Sequence, residues 1–169
     1  DTIQFLSVEG EDYRQYNGEF EIDLAVDKEK HINVIEGHNG AGKSNILNAI
    51  TLCFYDEETH IDDSNLEADP LVNLQRLAEL EPGDTATGYV TVKLGYDKPD
   101  YIFTREFTTA KQADGTYSES TGDLQLKQRI GQDMHPVENP NAQLNQILPT
   151  GVHEYFLFDG ERLDEFFEE

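Results

Sequence analysis

Apolar and polar residues alternate in several segments of the chain, a period of two that is typical of strands with one buried face. Residues 3–8 indicate a first strand, and residues 19–26 indicate a second one after a turn at Asn17-Gly18. Residues 31–36 are mostly apolar and predict a short strand suited to the centre of a sheet. The first third of the chain therefore predicts three strands.

A period near 3.6 residues marks the helices. Ile46, Ile50 and Cys53 share one apolar face of a helix predicted over residues 44–55. Because Cys53 lies on that face, we expect a buried core thiol rather than a nucleophile. A polar loop follows, and a second helix is predicted to start at Asp69-Pro70.

Strands return in the second half of the chain. Residues 90–94 and 101–107 alternate and predict a hairpin. Residues 109–122 predict an irregular segment with a turn at Asp114-Gly115, and residues 124–130 predict another strand. Asn139-Pro140 is typical of a helix start, here of a short helix to Leu148. A strand over 152–158 and a helix from residue 161 complete an α/β pattern.

The charge of the chain limits its partners. Its 169 residues include 12 Lys and Arg against 35 Asp and Glu, a formal net charge of −23, which repels nucleic acid and anionic membranes at ordinary salt. The acids are spread along the chain, which favours a solvated surface adapted to a very salty, halophilic cytoplasm, where a Debye length of ~3 Å screens self-repulsion. One cysteine and no apolar run of ~18 residues predict a cytoplasmic protein without disulfides or a membrane partner.

One motif carries chemistry: Gly37-His38-Asn39-Gly40-Ala41-Gly42-Lys43-Ser44 fits the P-loop pattern G-x-x-x-x-G-K-[ST]. Its glycines let backbone N–H groups turn toward phosphate oxygens. The helix that follows aims its N-terminal N–H groups and positive dipole end at the same anion. We expect Lys43 to reach the β- and γ-phosphates and the Ser44 hydroxyl to ligate Mg²⁺. The motif therefore predicts a site for ATP and Mg²⁺.

A wider stretch around this motif resembles a known family. Residues 32–35, the P-loop with its internal Asn39-Gly40, and Asn48-Ala49-Ile50 beyond it resemble the heads of SMC, SbcC, RecF and RecN type ATPases. Tyr13-Arg14-Gln15-Tyr16 is similar to the Asn-Phe-Arg-x-Tyr/His turn of that family. Residues 155–161 resemble the Phe-Phe-Phe-Asp-Gly-Glu stretch of DndD-like ATPases, which serve DNA sulfur modification and phage defence.

The resemblance implies an ABC-type P-loop NTPase head that is split in sequence. Residues 1–169 would form its N-terminal lobe, with a mixed β-sheet around the P-loop helix. Asp159 stands where SbcC-type heads have a glutamine that helps to hold Mg²⁺, and a carboxylate can also ligate this ion. The candidate catalytic residues are therefore Lys43 and Asp159, and the candidate metal ligands are Ser44 and Asp159. The implied nucleotide-binding residues are Arg14, Asn39, Gly40, Ala41, Gly42, Lys43, Ser44 and Asn45.

The resemblance also implies partners. A coiled coil and a C-terminal lobe of the same protein would complete the head, and two heads would form a homodimer around ATP. DNA and a nuclease or DNA-modification enzyme would be further partners. Because basic residues are scarce, DNA contact would come from other segments or would occur at salt that screens the acids.

Two other interpretations stay open from the sequence. Tyr155 to Asp159, four bulky residues and an acid, would be the Walker B strand of a complete P-loop kinase or GTPase. The second alternative is the nucleotide-binding subunit of an ABC transporter. The absence of Leu-Ser-Gly-Gly-Gln after Ser44 counts against it.

Overall fold

The computed structural model describes residues 3–24, 29, 32–38, 42–58 and 69–149. Its strands are β1 (Gln4–Glu11), β2 (Glu19–Asp23), β3 (Thr85–Gly95), β4 (Pro99–Lys111), β5 (Tyr117–Thr121), β6 (Gln125–Ile130) and β7 (Asp133–Pro136). Its helices are α1 (Lys43–Tyr55), α2 (Leu74–Ala78) and α3 (Pro140–Ile147).

The strands form one sheet in the order β2-β1-β3-β4-β6-β7, and β5 pairs with the second half of β4. All of the ladders between described strands are antiparallel. Helix α1 packs against the strands at the middle of the sheet, β1, β3 and β4. This sheet with helices matches the predicted α/β class.

The core lies between α1 and that face of the sheet. Phe54 of α1 meets Phe103 of β4 edge to face, with the ring centroids 5.0 Å apart, and each fully buried side chain of this size contributes ~1.5–3 kcal/mol. The opposite face is polar, with Thr91 and Thr104 sharing a hydrogen bond of 2.8 Å. The fully or almost fully buried members of the core include Val8, Ala49, Ile50, Cys53, Val90, Val92 and Phe107.

A register shift in β1 explains an irregular spacing in the sequence. Phe5 and Val8 are three residues apart, yet both pair with apolar positions of β3, Leu94 and Val92. The register shifts between Phe5 and Ser7, and an extra residue in one strand returns the following side chains to the same face. Both residues therefore pack in the core.

The prediction of a strand over residues 31–36 is wrong for residues 32–36, the part of this segment that the structure describes. Residues 32–38 belong to no strand or helix, and Ile32 and Val34 expose 86% and 76% of their surface. An apolar segment becomes a strand when a neighbouring strand pairs with it, and none of the strands in the described ranges does so. Ile35 alone of these apolar residues packs against the core.

Two further boundaries are corrected. The helix predicted from Asp69-Pro70 starts at Leu74, because the Asn73 side chain accepts hydrogen bonds from the N–H groups of Gln75 and Arg76 and caps the helix there. The irregular segment predicted over 109–122 is mostly a hairpin, since β4 continues to Lys111 and β5 pairs with it, and the turn predicted at Asp114-Gly115 is confirmed. The strand predicted over 152–158 and the helix from residue 161 lie outside the described residues.

Candidate functional site

The N-terminus of α1 has the features of an anion site. Gly42 is its N-cap, with φ 89° and ψ 18°, a left-handed conformation that suits glycine. The first four N–H groups of a helix have no carbonyl partner within it, and the first turn of α1 carries no acid although the chain has 35 Asp and Glu. The helix dipole and these N–H groups therefore favour an anion at this point.

Lys43 connects the two described ends of the motif. Its Nζ donates to the carbonyl oxygens of Gly37 at 2.9 Å and His38 at 3.2 Å. An ammonium has three donors, so these two bonds leave one for a phosphate oxygen. The two described ends of the motif thus meet beside the helix N-terminus.

Ser44 and Asn45 continue the first turn of α1. Ser44 is half-buried there, in the place from which the resemblance would have it ligate Mg²⁺. The Asn45 Nδ2 donates to Gln15 Oε1 at 2.6 Å, and the Gln15 side chain also lies against Gly42. The sequence does not predict Gln15 as a site residue, although it belongs to the turn Tyr13-Arg14-Gln15-Tyr16, which is similar to a turn of the SMC- and SbcC-type ATPases.

Arg14 is held by a carboxylate that sequence analysis did not single out. Its Nε donates to Glu58 Oε1 at 3.1 Å and its Nη2 to Glu58 Oε2, and Nη1 donates to the Asp69 carbonyl. The Tyr13 hydroxyl donates to Glu58 Oε1 at 2.5 Å. Both charged side chains are largely buried, with 11% and 8% exposure.

The pKa values of this cluster reflect burial and charge. Burial and the adjacent Glu58 carboxylate together raise the pKa of Tyr13 well above its usual value. Burial alone would lower the pKa of Arg14, but the hydrogen bonds and charge of Glu58 outweigh it, and the pKa is raised. Arg14 is therefore a fixed cation next to Gln15, and its contact with phosphate stays a prediction.

Several predicted site residues lie outside the described residues: Asn39, Gly40, Ala41 and Asp159. The rival Walker B segment from Tyr155 to Asp159 lies there as well. Their roles stay predictions. Of the predicted nucleotide-binding residues, the structure brings Gly42, Lys43, Ser44 and Asn45 together at one helix end.

The other end of α1 is held by Arg105, whose side chain is buried. Its Nε donates to the Cys53 carbonyl at 3.0 Å and its Nη1 to the Gly122 carbonyl at 2.7 Å, and a cation is favourable at a helix C-terminus. Burial raises the pKa of the Cys53 thiol to about 12, although the charge of Arg105 opposes this shift. The prediction of an inert core thiol is confirmed.

A cavity of about 410 Å³ lies beside this end of α1. Asp56, Glu57 and Asp123 contribute carboxylates to its lining, and α3 contributes Asn141 and Asn145. Arg105 also lines the cavity, so three acids face one cation and the net negative charge disfavours a triphosphate. The cavity is therefore a different environment from the N-terminus of α1.

Comparison with known proteins bears on the fold class and the general activity. A family profile described as AAA domain matches residues 7–169, and no curated protein matches the chain. An AAA domain is a P-loop NTPase domain, so the match confirms the predicted fold class and supports ATP binding and hydrolysis in general. Within the described part of the chain, no helix is long and apolar enough to cross a membrane.

Proposed function

The chain belongs to the AAA domain family, and on that premise we propose that it is the ATP-binding lobe of an SMC- or SbcC-like ATPase. The observation that carries this proposal is the contact of the Lys43 ammonium with the Gly37 and His38 carbonyls at a helix end without acids. A triphosphate placed there meets an ammonium, backbone N–H groups and the hydroxyl of Ser44. Mg²⁺ bound by Ser44 and, as the resemblance implies, by Asp159 would neutralise charge on the phosphates.

The missing half of the site would come from a C-terminal lobe of the same protein. Ile32 and Val34 support this part of the proposal, because alternate apolar residues with 86% and 76% exposure directly precede the P-loop. Contiguous exposed apolar surface is typical of interaction sites, and these two side chains would form part of one. A strand from the other lobe would cover them and pair with the segment that has no strand partner among the described residues.

The reaction would drive a change of assembly. ATP bound between two heads would close a homodimer, and hydrolysis would reopen it. By resemblance, this cycle would serve DNA repair, DNA modification or phage defence together with a nuclease or DNA-modification enzyme. With a net charge of −23, this lobe itself is a poor DNA ligand, so other segments of the assembly would hold the DNA.

Calorimetry with MgATP tests the nucleotide site. Lys43→Ala should abolish measurable binding, because it removes the ammonium at the phosphates. Lys127→Ala is the matched control, since Lys127 is exposed on β6 and its loss changes the net charge equally. Equal affinities of the two variants would refute the proposed site.

A further inference from the structure

The turn that faces the P-loop helix is strained and firmly held. Asp12 and Arg14 have φ values of 51° and 49°, which L-residues rarely adopt. Hydrogen bonds fix the turn to the neighbouring chain: Arg14 N–H donates to the Leu71 carbonyl at 2.8 Å and Asn73 Nδ2 donates to the Arg14 carbonyl at 2.7 Å. Strain that the surroundings enforce in this way is concentrated at functional sites.

Gln15 projects from this turn onto the start of α1. Its Oε1 accepts the 2.6 Å hydrogen bond from Asn45. A Cβ on Gly42 would overlap with Gln15 Nε2 and lie 2.6 Å from its Cδ, so the amide fills the space that glycine leaves open. One side chain thus touches both the residue before Lys43 and the residue after Ser44.

We propose that Gln15 is a positioning residue of the nucleotide site, which holds Gly42 and Asn45 in the geometry that binds phosphate. The inference rests on the proposed function of the P-loop. Gln15 ties the start of α1 to a turn that Leu71 and Asn73 hold in place, so the N–H groups of the first helical turn are oriented before ATP arrives. Such preorganisation lowers the cost of binding.

The same placement disfavours an acidic side chain. A carboxylate at position 15 would still accept the hydrogen bond from Asn45, but it would bring a negative charge next to the phosphates. Gln15 is exposed, so it contributes little to the core. Its replacement should therefore change nucleotide affinity and leave the melting temperature unchanged.

The test measures MgATP affinity and melting temperature of the full chain for wild type, Gln15→Met, Gln15→Glu and Lys43→Ala. Gln75→Met is the matched control, because Gln75 is also exposed and its Oε1 accepts from Asn17 Nδ2 at 2.9 Å. We expect Gln15→Met to weaken binding about fivefold through the lost hydrogen bond. Gln15→Glu should weaken it about tenfold in low salt, and high salt should restore part of the loss. Gln75→Met should bind as wild type does.

The outcomes separate the two proposals. If wild type does not bind MgATP, or Lys43→Ala binds equally well, the proposed function fails. If wild type binds, Lys43→Ala does not, and Gln15→Met matches Gln75→Met, the positioning role alone is refuted. A lower melting temperature of Gln15→Met together with a salt-independent affinity of Gln15→Glu would also refute it, since both would follow from general loosening.

Discussion

Both the backbone conformation and the close approach of Gln15 favour glycine at position 42. Its φ is 89°, and a Cβ there would collide with Gln15. We expect Gly42→Ala to weaken MgATP binding, because alanine is strained at this φ and its methyl group would displace the Gln15 amide from the start of α1. Calorimetry measures the loss.

Gly115→Ala is the control that isolates the backbone effect. Gly115 has a φ of 85° with nothing within 4 Å of its added Cβ, and it lies in the turn between β4 and β5. This variant should lose about 1 kcal/mol of stability and keep its nucleotide affinity. Similar affinities of both variants would show that Gly42 is not part of the site.

Arg14 and Glu58 form a buried ion pair in which each charge compensates the other. Glu58→Ala leaves a buried guanidinium without its carboxylate, and removal of one partner of such a pair costs about 3–5 kcal/mol. Chemical denaturation should show a loss in this range. Glu79→Ala, which breaks the Arg76–Glu79 pair of 3.1 Å with Glu79 71% exposed, should cost about 0.5 kcal/mol or less. Equal costs would contradict the burial of the Arg14 pair.

Sequence patterns correctly predict those strands and helices whose formation depends on residues close together in the chain. The alternation in residues 19–23 gives β2, and Asn139 caps α3 by accepting from the Ala142 N–H at 3.3 Å. The patterns fail where the conformation of a segment depends on residues far away in sequence. Leu71 and Val72 look helical in sequence, but Arg14 N–H bonds to Leu71 and Tyr13 forms a β-bridge with Val72.

The candidate site divides in the same way. Gly42, Lys43 and Ser44 follow from a local motif, since the loop and the helix start are contiguous in sequence. Gln15 and Glu58 could not be predicted, because contacts across about 30 and 44 residues of chain depend on how β1 and α1 pack. The adjoining motif around Arg14 was the available signal for Gln15.

Helix α1 gives a prediction about pH. The pKa of Cys53 is about 12 in the folded chain against ~8.5 when unfolded, so the unfolded state loses its proton first. The contribution of Cys53 to the free energy of unfolding should be constant below pH ~8.5. Above that pH it should fall by about 1.4 kcal/mol per pH unit. Denaturation curves of wild type and Cys53→Ala between pH 8 and 11 isolate this slope, and parallel curves would contradict the deep burial of the thiol.

The charge of the whole molecule gives a prediction about salt. With a net charge of −23, the acids repel one another in the folded chain, and salt shortens the Debye length from ~10 Å at 0.1 M to ~3 Å at 1 M. The melting temperature should therefore rise by several degrees over this range of KCl. Sucrose at equal osmolality is the control without screening. A melting temperature that is constant or falls in KCl would contradict a halophilic surface.

The central claim is that phosphate binds at the N-terminus of α1, and amide chemical shifts in NMR test it most directly. Adding MgATP should shift the backbone amides of Gly42, Lys43, Ser44 and Asn45 most strongly, because their N–H groups face the anion. Adenosine, which lacks phosphates, should leave them unchanged. Shifts centred instead on the cavity around Arg105, Asn141 and Leu148, with residues 42–45 silent, would contradict the account.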